Sequence, residues 1–455
     1  MCMTLLRFRF QNHKSFRDDT ELTMVSSRLK TTRPINDEWS SYTFRVAGIY
    51  GANASGKSSL LDAIEYMSAV IRHSATRWAE RSNLPIAPFL LDETSKNSQS
   101  FYSVDLVVDG IRYEYGFNLS SQRIISEWLY EYPVGRKRLL FERNMEEDGV
   151  YRFGRALKGN VAAIEAFTGE RELFLSRAAI SKNLTLRPIF DALTSKIVVA
   201  RFDEFDRDQR LNYIIEGLAT DRIAVDDLVA LLQVADIGIG EVEVATHELP
   251  AEIQPVVEAL YAATNKARKG RKKPGGASEP SPENEVVFNH VARNLAFSHR
   301  GSRGKLYSLE ASDQSTGTLS WLSLAVPAVE ALREGSLLLV DELDASLHPQ
   351  LSQVLVQMFK NSDLNRNNAQ LIFTTHDTYF LSQTTDVRLD PEEVWLVEKN
   401  NAGVSDLYSL GDFSPRKNEN LSRRYLHGRY GATPSVAPSF LEKVIHKNTQ
   451  TGINA

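Results

Sequence analysis

The sequence is short of several things, and each shortage removes a class of protein. It contains one cysteine, Cys2, among 455 residues. An internal disulfide framework is therefore excluded, and a reducing cytoplasm is the expected setting. No uncharged apolar run approaches the roughly 18 residues that a spanning helix needs, so no membrane span is expected. The opening stretch, Met1-Cys2-Met3-Thr4-Leu5-Leu6-Arg7-Phe8-Arg9, lacks the long apolar segment of a secretory signal. Charge of one sign is lacking too. The formal net charge of −5 gives no global field that would draw the chain to nucleic acid or an anionic surface. No internal repeat stands out, and the Cys and His content offers no zinc or HNH-type constellation. With 42% hydrophobic and 24% charged residues, the composition is that of a globular protein long enough for two or three cores.

What is present begins with Gly51-Ala52-Asn53-Ala54-Ser55-Gly56-Lys57-Ser58, which fits G-x-x-x-x-G-K-[ST], the phosphate-binding P-loop. Phe44–Tyr50 reads as a strand, and Ser59–Met67 carries apolar residues at helical spacing. A strand, a glycine turn and a helix start form the context that the motif requires. The glycines let backbone N–H groups close around phosphate oxygens, and the helix end adds partial positive charge. Gly51, Asn53, Ser55, Gly56, Lys57, Ser58 and Ser59 form the candidate nucleotide-binding set. Lys57 would reach the β- and γ-phosphates of ATP, and Ser58 would ligate Mg²⁺.

Three further motifs follow. Ser336-Leu337-Leu338-Leu339-Val340-Asp341-Glu342 is a continuous apolar run ending in two acids, as a buried parallel strand reads. Asp341 would hold the Mg²⁺, and Glu342 is placed to polarise an attacking water. Leu371-Ile372-Phe373-Thr374-Thr375-His376-Asp377 is a second apolar strand with a polar tip, where His376 could hydrogen-bond the γ-phosphate. Upstream, Ser312-Asp313-Gln314-Ser315-Thr316-Gly317-Thr318 opens an apolar helix over Leu319–Leu332. Such a turn serves as an N-cap, as an anion site through its backbone N–H groups, or as both.

The remaining pattern gives the organisation. Residues 4–10 read as an early strand. Phe101–Val108 and Ile111–Phe117 flank Asp109-Gly110, a hairpin signal. Strands continue over Ile124–Tyr132 and Arg138–Arg143. From about 158 to 265 the spacing turns helical. Lys266–Lys273 then places six basic residues in eight, followed by the linker-like Pro274–Pro282. Strands and helices alternate from about 285.

In this order the motifs resemble an ATP-binding-cassette head: P-loop, signature turn, acid-tipped strand, D-loop and switch histidine. Gln314–Thr318 is similar to a degenerate Leu-Ser-Gly-Gly-Gln signature, with Ser315 and Gly317 matching and Thr316 and Thr318 departing. Ser346-Leu347-His348-Pro349 resembles the D-loop region of the RecF, SMC and OLD-type group. Asn12-His13-Lys14-Ser15-Phe16 resembles the Asn-Phe-Lys-Ser-Phe of SMC-like heads. The chain is similar to the bacterial stand-alone ATPases of the RloA-like kind, relatives of the ATPase subunits of the PARIS and Septu anti-phage systems. Tyr425–Pro434 resembles that family's tail. No Q-loop glutamine is assigned.

The resemblance implies an α/β fold, an ABC-ATPase (SMC/RecF/OLD-like) head. Residues 1–157 would be a β-rich N-terminal lobe with the P-loop, 158–284 a helical insertion or lid ending in the basic linker, and 285–455 a mixed-sheet C-terminal lobe. It implies slow ATP hydrolysis with Glu342, His376 and Lys57 as catalytic residues and ATP and Mg²⁺ as cofactors. It also implies a homodimer or higher homo-oligomer that sandwiches ATP between the P-loop and the partner's Ser315 and Gly317. Too few residues follow His376 for a TOPRIM domain. A separate effector, such as a TOPRIM or HNH-type nuclease, is therefore expected in anti-phage defence. The alternative is a RecF- or SMC-like ATPase that contacts DNA directly, with residues 266–273 as the candidate contact.

Overall fold

The computed structural model describes residues 2–146, 150–235, 238–248, 291–345, 347–383, 385–416 and 419–433. The basic run 266–273 and the linker 274–282 lie outside the described residues. In chain order the first strands are β1 (Met3–Gln11), β2 (Thr20–Thr23), β3 (Val46–Gly51), β4 (Ser100–Val108), β5 (Ile111–Leu119), β6 (Ile124–Tyr132), β7 (Arg138–Asn144) and β8 (Tyr151–Phe153). The others are β9 (Ile197–Ala200), β10 (Ile239–Glu248), β11 (Val291–Arg300), β12 (Leu306–Glu310), β13 (Leu337–Val340), β14 (Gln370–Thr374), β15 (Val394–Lys399) and β16 (Ser405–Ser409).

Alternation at the amino terminus becomes β1, with Leu5, Phe8 and Phe10 buried while Arg7 and Arg9 are exposed. It joins a seven-stranded antiparallel sheet in the order β2-β1-β4-β5-β6-β7-β8. The Asp109-Gly110 turn joins β4 to β5 with φ of 47° and 83°, the pair of positive angles that matches a two-residue hairpin to strand twist.

A second sheet runs β16-β15-β3-β14-β13-β9. Its neighbours are parallel except for the β15–β16 pair. Strands covered on both faces must be apolar throughout, and β3, β13 and β14 are buried at every position. The mixed α/β class expected from the sequence is the one observed.

The chain divides into two compact units, residues 1–206 with 327–455, and residues 207–326. The first unit has one large apolar core in which Phe8, Phe10, Ile64, Met67, Phe117 and Leu339 are members. Ile164, Phe174 and Leu193 belong to the same core, so the helices Val161–Phe167, Phe174–Ile180 and Arg187–Ser195 pack in this unit. The helix Phe174–Ile180 lacks a cap of its own. Buried Glu127 accepts from its Phe174 and Leu175 amides at 2.6 and 3.0 Å, supplying the acceptor that first-turn N–H groups require.

The second unit buries Ile214, Leu228, Leu232, Phe297 and Leu322 together and contains the sheet β10-β11-β12. Here the helical reading of 158–265 is corrected. Gly-Glu-Val-Glu-Val-Ala has period two, and Ile239–Glu248 is a strand. The helix Thr316–Glu334 contains Pro327, which has no N–H to give to the Ser323 carbonyl. Arg210 Nε donates to that carbonyl instead, at 3.1 Å. No helix among the described residues is long and apolar enough to cross a membrane.

Gln370 opens β14 and is buried. Its Oε1 accepts from Leu5 N at 2.6 Å, and its Nε2 donates to the carbonyls of Leu5 and Phe44 at 3.0 Å each. One amide thus joins β1 to the entry of β3. Gln370→Leu leaves three buried backbone groups unpaired. It should lower stability by at least about 2 kcal/mol, measured by urea unfolding of the full chain.

Candidate functional site

The site begins where β3 stops. Residues 51–56 turn from the strand into the helix Lys57–His73, whose N-cap is Gly56 at φ 120°. No side chain of the described residues caps this helix, so its first N–H groups face the concavity of the loop. A Cβ at Gly56 would lie 2.5 Å from Ser405 Oγ and 2.7 Å from Ser15 Oγ, so glycine is needed for both angle and space. Ser405 also donates through Oγ to the Ser55 carbonyl at 2.5 Å and through its amide to the Ser15 carbonyl at 2.8 Å. The loop is therefore braced from behind by β16 and by residues 12–16.

That brace is itself tightly specified. Asn12 and Lys14 sit at φ 56° and 49°, and the Asn12 side chain accepts from Phe89 N at 2.9 Å and donates to the Ser95 carbonyl at 2.7 Å. His13 is fully buried. It donates through Nε2 to Asp62 at 2.8 Å and accepts at Nδ1 from the Tyr102 hydroxyl at 2.7 Å. Burial holds its pKa below the usual histidine range, with Asp62 opposing. Lys14 pairs with the same Asp62 at 2.6 Å, which fixes the segment to the P-loop helix.

Lys57 is buried at 6% exposure. It donates to the carbonyls of Gly51 and Ala52 at 3.0 and 3.1 Å and to His376 Nε2 at 3.0 Å. Burial pushes its pKa down to about 8, against the pull of Glu342, Asp341 and Asp344. The His376 pKa is lowered as well, first by burial and then by Lys57. The lysine and histidine picked from distant motifs are therefore direct partners.

The acid-tipped strand completes the cluster. Ser58 Oγ donates to Asp341 Oδ1 at 3.1 Å, and Thr374 Oγ1 donates to the same oxygen at 2.6 Å. Thr374 Oγ1 also accepts from the Glu342 amide at 2.7 Å. That bond supports Glu342 at φ 56°, an angle that costs a non-glycine residue energy unless its surroundings fix it. The His376 amide donates to both Asp344 carboxylate oxygens at 3.2 Å. Asn53 and Ser58 are exposed, Ser59 is half-buried, and Ser55 is buried.

Ser315 and Gly317 belong to the second unit. Ser315 acts as an N-cap: its Oγ accepts from Thr318 N at 3.0 Å and meets Thr318 Oγ1 at 2.8 Å.

Thr374, Asp344, Ser15 and Ser405 received no role from the sequence. Thr374 and Ser15 stand inside motifs given above, and Asp344 lies two residues beyond Glu342; their signal was a hydroxyl or carboxylate close to a motif. Ser405 lies in no motif and is recognisable only once β16 is placed.

A P-loop whose serine meets the acid of a parallel strand, and whose lysine meets the histidine of the next strand, defines an ATPase-type domain of the AAA/ABC class. The chain matches the family model described as "AAA domain, putative AbiEii toxin, Type IV TA system" over residues 46–382, and it belongs to that family. No curated protein matches. Among solved structures, one described as the SMC head bound to the C-terminal winged-helix domain of ScpA is similar at 13% identity and a TM-score of 0.40. That alignment covers 89% of this chain and 97% of the other.

Thr374→Val should leave the Glu342 amide and the Asp341 carboxylate short of a partner. It should cost about 1–3 kcal/mol, seen as a lower denaturation midpoint that Thr374→Ser restores.

Proposed function

We propose that the protein is an ABC-type ATPase that works as a nucleotide-dependent switch. ATP would be held by residues 51–59 and hydrolysed slowly. The observation that carries this reading is the linkage of Ser58, Asp341, Thr374 and Glu342 in one hydrogen-bonded chain beside the Lys57–His376 pair.

The residues present fit Mg²⁺. Ser58 and Asp341 offer hard oxygen donors 3.1 Å apart, and Ser55 Oγ is buried without a hydrogen-bond partner among the described residues. Among those residues no group of three or more His, Cys, Asp or Glu could hold a metal alone. That suits an ion shared with substrate phosphates. When bound, Mg²⁺ neutralises charge on the β- and γ-phosphates. Lys57 positions the same phosphates. Glu342 orients and deprotonates the attacking water, and His376 offers a hydrogen bond where the γ-phosphate sits. Ser315 and Gly317 of the partner subunit would close over the nucleotide, so ATP sets the assembly state of a homodimer or larger oligomer.

The chain's likeness to RloA-like proteins supports a place in bacterial anti-phage defence, with a separate nuclease as effector. The rival reading, direct DNA contact in the RecF or SMC manner, rests on residues 266–273. Salt-dependent DNA binding that is lost when those residues are neutralised would favour it.

Glu342→Gln should retain ATP binding while phosphate release falls at least about 100-fold. Lys57→Ala should abolish binding. Natural and Glu342→Gln proteins releasing phosphate at one background rate would overturn the hydrolysis assignment.

A further inference from the structure

Ser405 follows the turn Asn400-Asn401-Ala402-Gly403-Val404 between β15 and β16. That turn is set by its own residues. Asn400 N donates to the Val404 carbonyl at 3.0 Å, and Asn400 Oδ1 accepts from Ala402 N and Val404 N at 2.9 and 3.1 Å. Gly403 sits at φ 76°, and a Cβ there would fall 2.3 Å from Leu91 Cδ1. The turn delivers Ser405 to the back of the P-loop, where its amide meets the Ser15 carbonyl. Ser405 is buried, and a buried hydroxyl is costly unless it finds a partner. Its partner is the Ser55 carbonyl, at 2.5 Å.

That carbonyl has a rival donor. In an α-helix the N–H of each residue donates to the carbonyl four positions back, so Ser59 N–H would ordinarily take Ser55. One residue later the pattern holds, and Leu60 N donates to the Gly56 carbonyl at 3.1 Å. Among the described residues, Ser59 N makes no such bond to Ser55. Ser405 holds the carbonyl instead, and two amides are affected. The Ser59 N–H is left without its helical acceptor. The peptide joining Ser55 to Gly56 is also a rigid trans plane, whose carbonyl and N–H point in opposite directions. Fixing the oxygen toward β16 therefore turns the Gly56 N–H away from β16. That amide too has no acceptor among the described residues.

Packing alone does not account for residue 405. An alanine would fill nearly the same space, and the Ser55 carbonyl would then be free to accept from Ser59. We propose that Ser405 is a positioning residue for the nucleotide site. Its hydroxyl keeps the Ser55 carbonyl out of the helix, so that the Gly56 and Ser59 amides stay available to phosphate oxygens. This rests on the reading of residues 51–59 as an ATP site. Ser405 acts through the loop, and β16 thereby belongs to the nucleotide-binding machinery.

The test compares the full-length natural protein with Ser405→Ala and with Ser405→Cys, whose thiol is a weaker donor. Titration with a fluorescent ATP analogue and Mg²⁺ gives affinity, and phosphate release gives KM and turnover. Amide hydrogen exchange of the nucleotide-free protein reports on Ser59. Ser405→Ala should weaken binding about three- to tenfold, the worth of one hydrogen bond. The loss should appear in KM, with turnover at saturation changed by less than about twofold. Exchange at Ser59 should slow, because its N–H takes the released carbonyl. Ser405→Cys should lie between the other two, and it decides the matter if Ser405→Ala does not fold. Unchanged affinity in both variants would overturn the positioning role alone. So would weaker binding with faster exchange at Ser59, the mark of a loop that has merely loosened. A natural protein that binds no ATP would instead defeat the ATPase reading, and this inference with it.

Discussion

Everything in the site depends on three strands pointing the same way. β3, β14 and β13 are parallel neighbours, with Ile49 opposite Thr374 and Phe373 opposite Val340. Their carboxy-terminal ends therefore reach one edge of the sheet, the edge at which open α/β sheets place ligands. The register carries the P-loop, the acid pair and the histidine to that edge together. A slip of one residue in any strand would turn buried side chains to the wrong face. The apolar fill of the three strands and the chemistry at their tips are thus one constraint.

At that edge the polar groups settle one another. Thr374 gives its proton to Asp341 and receives one from the Glu342 amide, so a single hydroxyl sets two carboxylate-bearing residues. Lys57 is desolvated but has two carbonyls and an imidazole to donate to, which is why burying an ammonium there is tolerable. Behind the loop, Ser15 and Ser405 approach from two separate segments. The P-loop is a local motif in sequence, yet its shape is held from residues some 40 positions upstream and more than 340 downstream.

Much of this was legible beforehand because it is periodic or compositional. The apolar runs before Asp341 and His376, the Asp109-Gly110 hairpin and the helix after Lys57 each follow from one short window. The unread part depends on long-range pairing. Gln370 precedes the apolar run at Leu371 and belongs to no motif, and only the approach of β1 makes it a clamp. His13 stood where the resembling motif has phenylalanine, and its meaning came from Tyr102 and Asp62. Ile239–Glu248 was read as helix because its neighbours are helical, although its own alternation said strand.

The turn after β14 separates shape from chemistry. The amide of His376 is held by Asp344, the amide of Asp377 by Thr375 Oγ1 at 3.0 Å, and the amide of Tyr379 by Asp377 at 2.8 Å. None of these bonds uses the imidazole. Residue 376 is in that sense a socket: its backbone is moulded by neighbours, and its side chain is left open to selection. A lineage could exchange, tune or silence the group that meets Lys57 there without refolding the loop that presents it.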